Sequence, residues 1–144
     1  MSKEKADYND ADLVLRLYET RREAVMRESR ATIGGRFWPK SYEDVQAILK
    51  ADHPMNAAYR QIASYWEMVY GIVRHGIVNP DFFLESNGEG MFFFAKVHPF
   101  LEQIRRDTSP TALGNCEWVA TETEKGKKMF ANFQVRVQKM AAAR

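Results

Sequence analysis

The sequence predicts an all-α protein, a single-domain bundle of five to six helices with short connections. Over most of the chain, apolar residues recur at steps of three and four, which is the period of one helix face. Convincing strand patterns, in which apolar and polar residues alternate, are missing. The 144 residues suffice for one domain that buries roughly two thirds of its unfolded surface.

The longest uninterrupted helical pattern predicts a central helix from Met55 to Gly76. Two apolar rows lie side by side along it, so we expect neighbouring elements to contact the helix from several directions. Pro54 suits the start of this helix, and Gly76 suits its end. The first row consists of Met55, Tyr59, Ile62, Trp66, Val69 and Val73, and the second of Ala58, Tyr65, Met68 and Ile72.

The N-terminal part of the chain predicts a polar segment, residues 1–9, ahead of one helical domain, residues 10–141. Asp10 or Asp12 is suited to cap a first helix that runs to about Arg30. Acidic and basic side chains share one side of that helix. We expect this charged side to face solvent.

An irregular segment is expected from Ala31 to Lys40, because two adjacent glycines and Pro39 disfavour a continuing helix. This segment carries two large aromatic residues, Phe37 and Trp38. Such residues usually fold back onto the core, and the alternative is a lid or a contact with a partner protein. A short helix over residues 42–51 then leads into the central helix.

Three further helical segments are predicted after the central helix. Asn79, followed by a proline, opens a short one, because Asn is a favoured N-cap and Pro a favoured first helical residue. The second runs from Met91 to Asp107 and is expected to kink or restart at Pro99. The last runs from Cys116 to about Met140, and we expect it to bend or split near Gly126.

The charge pattern argues against nucleic acid or a membrane as a partner. The 21 basic and 19 acidic side chains are interspersed and leave a net charge of only +2. Apolar runs fall short of the ~20 residues of a membrane span, and the polar start lacks a secretory signal. The single cysteine, Cys116, excludes an internal disulfide, which fits a reducing compartment. We therefore expect a cytoplasmic protein.

The sequence contains no recognisable catalytic or metal-binding pattern, so we expect neither a cofactor nor a metal and favour a non-enzymatic function. His53, His75 and His98 lie in separate segments, without the close spacing of metal ligands. Cys116 lies near a predicted helix N-terminus, a position that can lower a thiol pKa, but a packed, unreactive thiol is the favoured interpretation. An enzyme of unrecognised type would need Cys116, a histidine and an acid to converge in the fold.

Glu67 is the most informative polar residue, because it lies between Trp66 and Met68 in the most apolar helix. A partly buried carboxylate needs a partner, and Arg105 or Arg106 can supply one. The structural interpretation is an ion pair that sets the helix register, and the functional interpretation is a carboxylate that faces a ligand. The predicted pocket is lined by Tyr59, Trp66, Tyr70 and Phe93, with Glu67 and Arg105 as polar anchors.

Three short blocks occur in a characteristic order: SYWE at residues 64–67, RHGIVNPD at 74–81 and FLEQIR at 100–105. In this order they resemble a bacterial family of small helical domains catalogued as domain of unknown function 4760. The resemblance covers roughly residues 41–138. It implies a helical fold and supports the pairing of Glu67 with an arginine, but it implies no reaction, because the family has no assigned activity.

Two hypotheses for function follow from these observations. The leading one is a non-catalytic, cytoplasmic protein that acts through protein–protein contacts, with a homodimer as one form and Phe37 and Trp38 as contact residues. It is based on the missing catalytic pattern and on the eighteen aromatic residues. The alternative is a small-molecule-binding protein with an aromatic pocket around Trp66 and Glu67.

Overall fold

The chain is all-helical, as the sequence predicts, in a computed structural model that describes residues 2–144. The predicted number of five to six helices is wrong, because residues 2–144 form nine α-helices and one 3-10 turn. Within the same residues, every helix is too short or too polar to cross a membrane. The α-helices are α1 (Tyr8–Arg22), α2 (Ala24–Arg36), α3 (Tyr42–Ile48), α4 (Asn56–Arg74), α5 (Pro80–Ser86), α6 (Glu89–Val97), α7 (Leu101–Asp107), α8 (Gly114–Glu122) and α9 (Glu124–Ala142).

The central position belongs to α4, as its apolar period predicts. It packs against α2 on one side and α8 on another, while α9 packs against both α8 and α6. Trp66, Val69 and Val73 on α4 are fully buried. Gly71 allows a close approach, since a Cβ there would lie 2.8 Å from Asn115 Nδ2 on α8. The helix is therefore covered by several neighbours, which the two apolar rows indicated.

The single first helix expected from the sequence is divided at Glu23. This residue leaves the helical conformation, with ψ of 143°, and its carboxylate accepts a hydrogen bond from the Met26 amide at 3.0 Å. The expected caps of the first helix are also wrong, because Asp7 caps α1. Asp10 is buried instead and accepts a hydrogen bond from the Asn79 amide at 2.9 Å. Side-chain caps therefore mark both the start of α1, at Asp7, and the division between α1 and α2, at Glu23.

The irregular segment expected from Ala31 to Lys40 is wrong in its first half. Helix α2 continues through both glycines and ends at Arg36. The ammonium group of Lys96 donates hydrogen bonds to the carbonyls of Ile33 and Gly34, which would otherwise lack partners at a helix end. The end of α2 is thus stabilised by a lysine from a distant part of the chain, whereas the sequence predicted that the two glycines would end this helix.

Pro99 interrupts the helix in which it lies, as predicted. Helix α6 ends just before a short 3-10 turn, His98–Phe100, and α7 begins directly after that turn. The last predicted helix also splits near Gly126, because the Thr123 hydroxyl accepts a hydrogen bond from the Gly126 amide and caps α9. A Cβ at Gly126 would collide with the Val119 carbonyl, so glycine permits the close packing of α8 on α9.

Candidate binding sites

A cleft lies between α2, α4 and α6, with a free volume of about 90 Å³. Its lining is mostly apolar, which is usual for sites that bind small molecules. Three ionisable side chains, Arg30, Glu89 and Lys96, also belong to the lining. The remaining lining residues are Ile33, Gly34, Ile62, Trp66, Phe92 and Phe93.

Lys96 is the most unusual residue of the cleft, because its side chain is only 2% exposed. Its ammonium group donates to three carbonyls, those of Ile33 at 2.8 Å, Gly34 at 3.0 Å and Phe37 at 2.9 Å. The nitrogen also lies 3.7 Å from the centre of the Trp38 ring. All three donors of a charged lysine are thus satisfied without a carboxylate.

The environment of Lys96 changes its proton affinity. Burial, with a smaller contribution from the positive charge of Arg144, lowers the pKa of Lys96 to about 7. The three carbonyl oxygens at the end of α2 act in the opposite direction, because they stabilise the ammonium form. Lys96 was not predicted as a site residue, although a lysine in the apolar run of residues 91–97 is a signal that one side chain there has an unusual environment.

Trp66 lies on the α4 side of the cleft and is fully buried. Its ring packs against Tyr65 and Tyr70, with centroid distances of 4.9 and 5.4 Å. Its Nε1 is buried and has no hydrogen-bond partner among the described residues. An unsatisfied buried donor of this kind costs about 1–3 kcal/mol of stability.

Arg30 and Glu89 join α2 to α6 at the same cleft. The guanidinium of Arg30 donates from Nε and Nη2 to the two carboxylate oxygens of Glu89, and both distances are 2.8 Å. This bidentate geometry is the strongest form of ion pair between these groups. It neutralises the charge of Arg30 and raises its pKa, since the carboxylate favours the charged guanidinium.

The six residues of the predicted pocket do not come together in one place. Trp66 and Phe93 line the cleft. Tyr59 is buried beside it, with its ring centroid 5.8 Å from that of Phe93. Tyr70 is fully buried, and its hydroxyl donates to the Asn87 carbonyl at 2.8 Å. Whether any of these residues binds a ligand stays a prediction.

The predicted ion pair between Glu67 and Arg105 is wrong, because each side chain has another partner. The Glu67 carboxylate accepts hydrogen bonds from the amides of Asn115 and Cys116 at 2.9–3.1 Å, so it caps the N-terminus of α8. Arg105 pairs with Glu117 at 2.9 Å. Backbone amides at a helix start satisfy a carboxylate as well as an arginine does, and the sequence does not show that α8 begins beside α4.

The two aromatic residues predicted as interface contacts differ in exposure. Phe37 is only 3% exposed and packs edge-on against Tyr59, so it belongs to the core. Trp38 is half-buried and its Nε1 donates to the Gly35 carbonyl. The guanidinium of Arg144 lies 4.2 Å from the centre of the Trp38 ring. A partner contact at Trp38 stays a prediction, whereas Phe37 is not accessible for one.

Cys116 lies at the first turn of α8, as expected, and its thiol is packed in the core instead of being activated by the helix N-terminus. The side chain is fully buried, and burial raises the pKa of Cys116, with a further contribution from the nearby Glu67 carboxylate. A buried thiol of raised pKa is a poor nucleophile. Across residues 2–144, no group of three or more His, Cys, Asp and Glu side chains is placed to hold a metal ion.

One face of α1 exposes a row of large apolar side chains. Tyr8 is 83% exposed, Leu15 65% and Tyr18 51%. Steps of seven and three residues place them on the same side of the helix. The opposite side buries Leu17 against the core. This apolar row was not predicted, because the sequence indicated a charged, solvent-facing side for the helix.

A family model matches residues 7–123, and its description is Domain of unknown function (DUF4760). The chain belongs to the DUF4760 family. The resemblance identified from three sequence blocks is thereby confirmed, and the match begins well before residue 41. No curated protein and no solved structure matches the chain.

The DUF4760 match extends from Asp7, which caps α1, to Thr123, which caps α9. It therefore includes α1–α8, the cleft and the cap that Glu67 provides, whereas α9 lies beyond the match. Helix α9 nevertheless packs against α6 and α8, with Phe130 against Phe94 at a centroid distance of 5.3 Å. In this DUF4760 protein the last helix thus completes the core on the α6 side.

Proposed function

We propose that this domain is a non-catalytic interaction protein of the bacterial cytoplasm, and that it binds a second copy of itself along α1. The observation that carries the proposal is the exposed row of Tyr8, Leu15 and Tyr18 on a helix that already buries its other side. Clustered apolar side chains on a surface mark contact sites more often than isolated ones do. A cytoplasmic location is supported by the single cysteine, Cys116.

The arrangement of charges beside the row favours an antiparallel pair of α1 helices. Asp12 and the N-cap Asp7 lie at the N-terminal end, whereas Arg16 and Arg22 lie in the C-terminal half, with Glu19 as the exception. Asp7 also contacts Lys3, and Asp12 contacts Arg16, within the same chain. An antiparallel pair related by a two-fold axis places the acidic half of one helix beside the basic half of the other. A parallel pair would place like charges together, which is unfavourable.

The length of α1 also suits an antiparallel contact between two copies of this helix. The 15 residues of α1 extend over about 22 Å, and the row spans most of that length. A two-fold contact centred near Leu15 would bring the two copies of that side chain together and cover Tyr8 and Tyr18 at either end. The central position of Leu15 makes it the residue whose replacement should be most disruptive.

The proposal is tested by the mass of the protein in sedimentation equilibrium at micromolar concentrations. We expect twice the chain mass of 16.7 kDa for the unaltered protein and the monomer mass for Leu15→Glu. Val135→Glu is the matched control, because Val135 on α9 is an apolar residue of similar exposure, 53%, and should leave the dimer intact. Circular dichroism checks that both variants remain folded.

Two results would contradict the proposal. One is an unaltered protein that stays monomeric throughout the concentration range. The other is a dimer that survives Leu15→Glu but dissociates in Trp38→Ala, which would place the interface at the residue predicted from the sequence.

A further inference from the structure

We infer that an open groove between α5, α6 and α9 binds a monocarboxylate with an extended apolar body, such as a medium-chain fatty acid. The groove is lined by the end of α5, the first turn of α6 and the middle of α9, and its free volume is about 380 Å³. Pockets that bind small molecules usually have about 300–1,000 Å³. The exposed row of α1 takes no part in the lining, so the inference does not depend on the proposed dimer.

The floor of this groove is apolar and accessible. Leu84 is fully buried, whereas Phe92, Met129 and Phe133 are half-buried. The rings of Phe92 and Phe133 pack edge to face, with their centroids 5.5 Å apart. The exposed part of these rings keeps apolar area in contact with water, and a hydrocarbon chain that covers this area is favoured. The floor therefore suits a ligand with an apolar body.

The acidic group of the ligand follows from Arg136, which lies at one end of the groove. This arginine is exposed, and its guanidinium lies 6.0 Å from the centre of the Phe92 ring. It forms no ion pair with any carboxylate of residues 2–144. A guanidinium beside an apolar surface suits a carboxylate, because it can donate two parallel hydrogen bonds to the two oxygens. Arg136 is thus a free cation at the edge of an apolar floor.

The length of the ligand follows from the course of α9. Met129, Phe133 and Arg136 follow one another at steps of four and three residues, so they lie on one side of this helix. The rise from the first of them to the last is about 10 Å. The other end of the groove lies at Gly88, where an added Cβ would collide with Met129 Cε and lie 3.5 Å from the Leu84 carbonyl oxygen. A saturated acid of about eight carbon atoms, such as octanoate, has a similar length.

The two glutamates of the lining are compatible with an acidic ligand. Glu89 accepts hydrogen bonds from Arg30 through both carboxylate oxygens, at 2.8 Å each, so its charge is already compensated. Glu85 is exposed and directly follows Leu84, which lies at the far end of the groove from Arg136. A ligand that places its carboxylate at Arg136 and its methyl end near Leu84 keeps its negative charge away from Glu85.

The test follows the methionine methyl signals in proton–carbon correlation spectra during titration with octanoate. Met129 lies in the floor of the groove, and Met68 is an exposed methionine of α4. Their signals are assigned by their loss in Met129→Leu and Met68→Leu. We expect a saturable shift of the Met129 signal, with a Kd of about 0.1–1 mM, and little change at Met68. An unmoved Met129 signal, or equal shifts of the two signals, would overturn the inference.

Two exposed cations of α9 provide matched variants. Arg136→Gln removes the charge at the groove, and Lys128→Gln removes a charge of the same helix outside the lining. We expect Arg136→Gln to weaken octanoate binding at least about threefold, the effect of one partly exposed ion pair, and Lys128→Gln to leave the Kd unchanged. Circular dichroism checks that both variants stay folded. Equal effects of the two variants would contradict a carboxylate site at Arg136.

Three analogues test the ligand class. Octan-1-ol has the same chain without a charge, so its Kd should be the same for the unaltered protein and Arg136→Gln. Octylammonium should bind more weakly than octanoate, and acetate should cause no saturable shift at Met129. Tighter binding of octylammonium would assign the groove to cations through Glu85. A loss of octan-1-ol affinity as large as that of octanoate would remove the role of the charge, and acetate binding as tight as that of octanoate would remove the role of the floor.

Discussion

Raising the pH from 7 to about 9 should stabilise the protein through Lys96. Burial lowers the pKa of this lysine to about 7, whereas its ordinary value in the unfolded chain is 10.5. Below pH 7 both states hold the proton, and the cost of burying the charge is present in full. Between 7 and 10.5 the unfolded state binds more protons than the folded state does, so the free energy of unfolding rises with pH.

The size of the effect follows from these two pKa values. The linkage relation predicts a gain of about 2 kcal/mol in the free energy of unfolding between pH 7 and about 9. This is an upper limit, because the carbonyls of Ile33, Gly34 and Phe37 stabilise the ammonium form and oppose its loss of a proton. The 2% exposure of Lys96 leaves little room for screening by solvent.

The assay compares the protein with Lys96→Met by urea denaturation at several pH values from about 6 to 9. Methionine has a similar length and no charge, and the variant retains Arg30, Glu89 and Arg144 around the site. The difference in free energy of unfolding between the two proteins cancels the titration of all other groups. We expect this difference to shift by up to about 2 kcal/mol in favour of the unaltered protein as the pH rises.

A constant difference across the pH range would refute this reasoning. It would mean that Lys96 stays charged in the folded state, because the three carbonyls and the Trp38 ring compensate the whole cost of its burial.

Three further predictions concern buried positions. Gly90→Ala should lower the free energy of unfolding by about 1–2 kcal/mol, because the new Cβ would lie 2.7 Å from the Trp66 ring and the cost of overpacking exceeds the ~1 kcal/mol gain in helix propensity. A variant that is more stable than the unaltered protein in urea denaturation would contradict this prediction. Glu67→Gln should lower the free energy of unfolding by about 1–2 kcal/mol in the same assay, because it weakens the cap of α8. The exposed control Glu19→Gln should change stability little, and equal effects of the two variants would refute the cap. Cys116 should react with a thiol reagent at the rate of unfolding, since burial raises its pKa, and fast labelling of the native protein would oppose that conclusion.

Features that depend on residues close together in the sequence were predictable from the sequence alone. The two apolar rows of α4 place Trp66, Val69 and Val73 in the core, and all three are fully buried. The interruption at Pro99 follows from the missing amide and the ring of proline. Met68 is the exception on α4, since it is 58% exposed despite its place in the second row. Periodicity identifies the apolar side of a helix but not how far the neighbouring elements cover it.

The candidate site was only partly predictable, since Trp66 and Phe93 were identified and Lys96 was not. The sequence suggested that Glu67 and Arg105 would pair, because a charge in an apolar helix needs a partner. The partners found are backbone amides for Glu67 and Glu117 for Arg105. The sequence does not show which backbone amides act as hydrogen-bond partners, so it does not distinguish a carboxylate that caps a distant helix from one that pairs with an arginine.

The sequence by itself determined the all-α class, the central helix and the break at Pro99, because apolar periodicity and proline act over a few residues. Only the tertiary structure decided that α2 continues through its glycines, since the Lys96 ammonium that caps the end of α2 lies about 60 residues away. It alone also decided the partners of Glu67 and the apolar row left uncovered on α1. These features depend on which groups, distant in the sequence, come into contact in the fold, because a buried polar atom can form a hydrogen bond with any partner of suitable geometry.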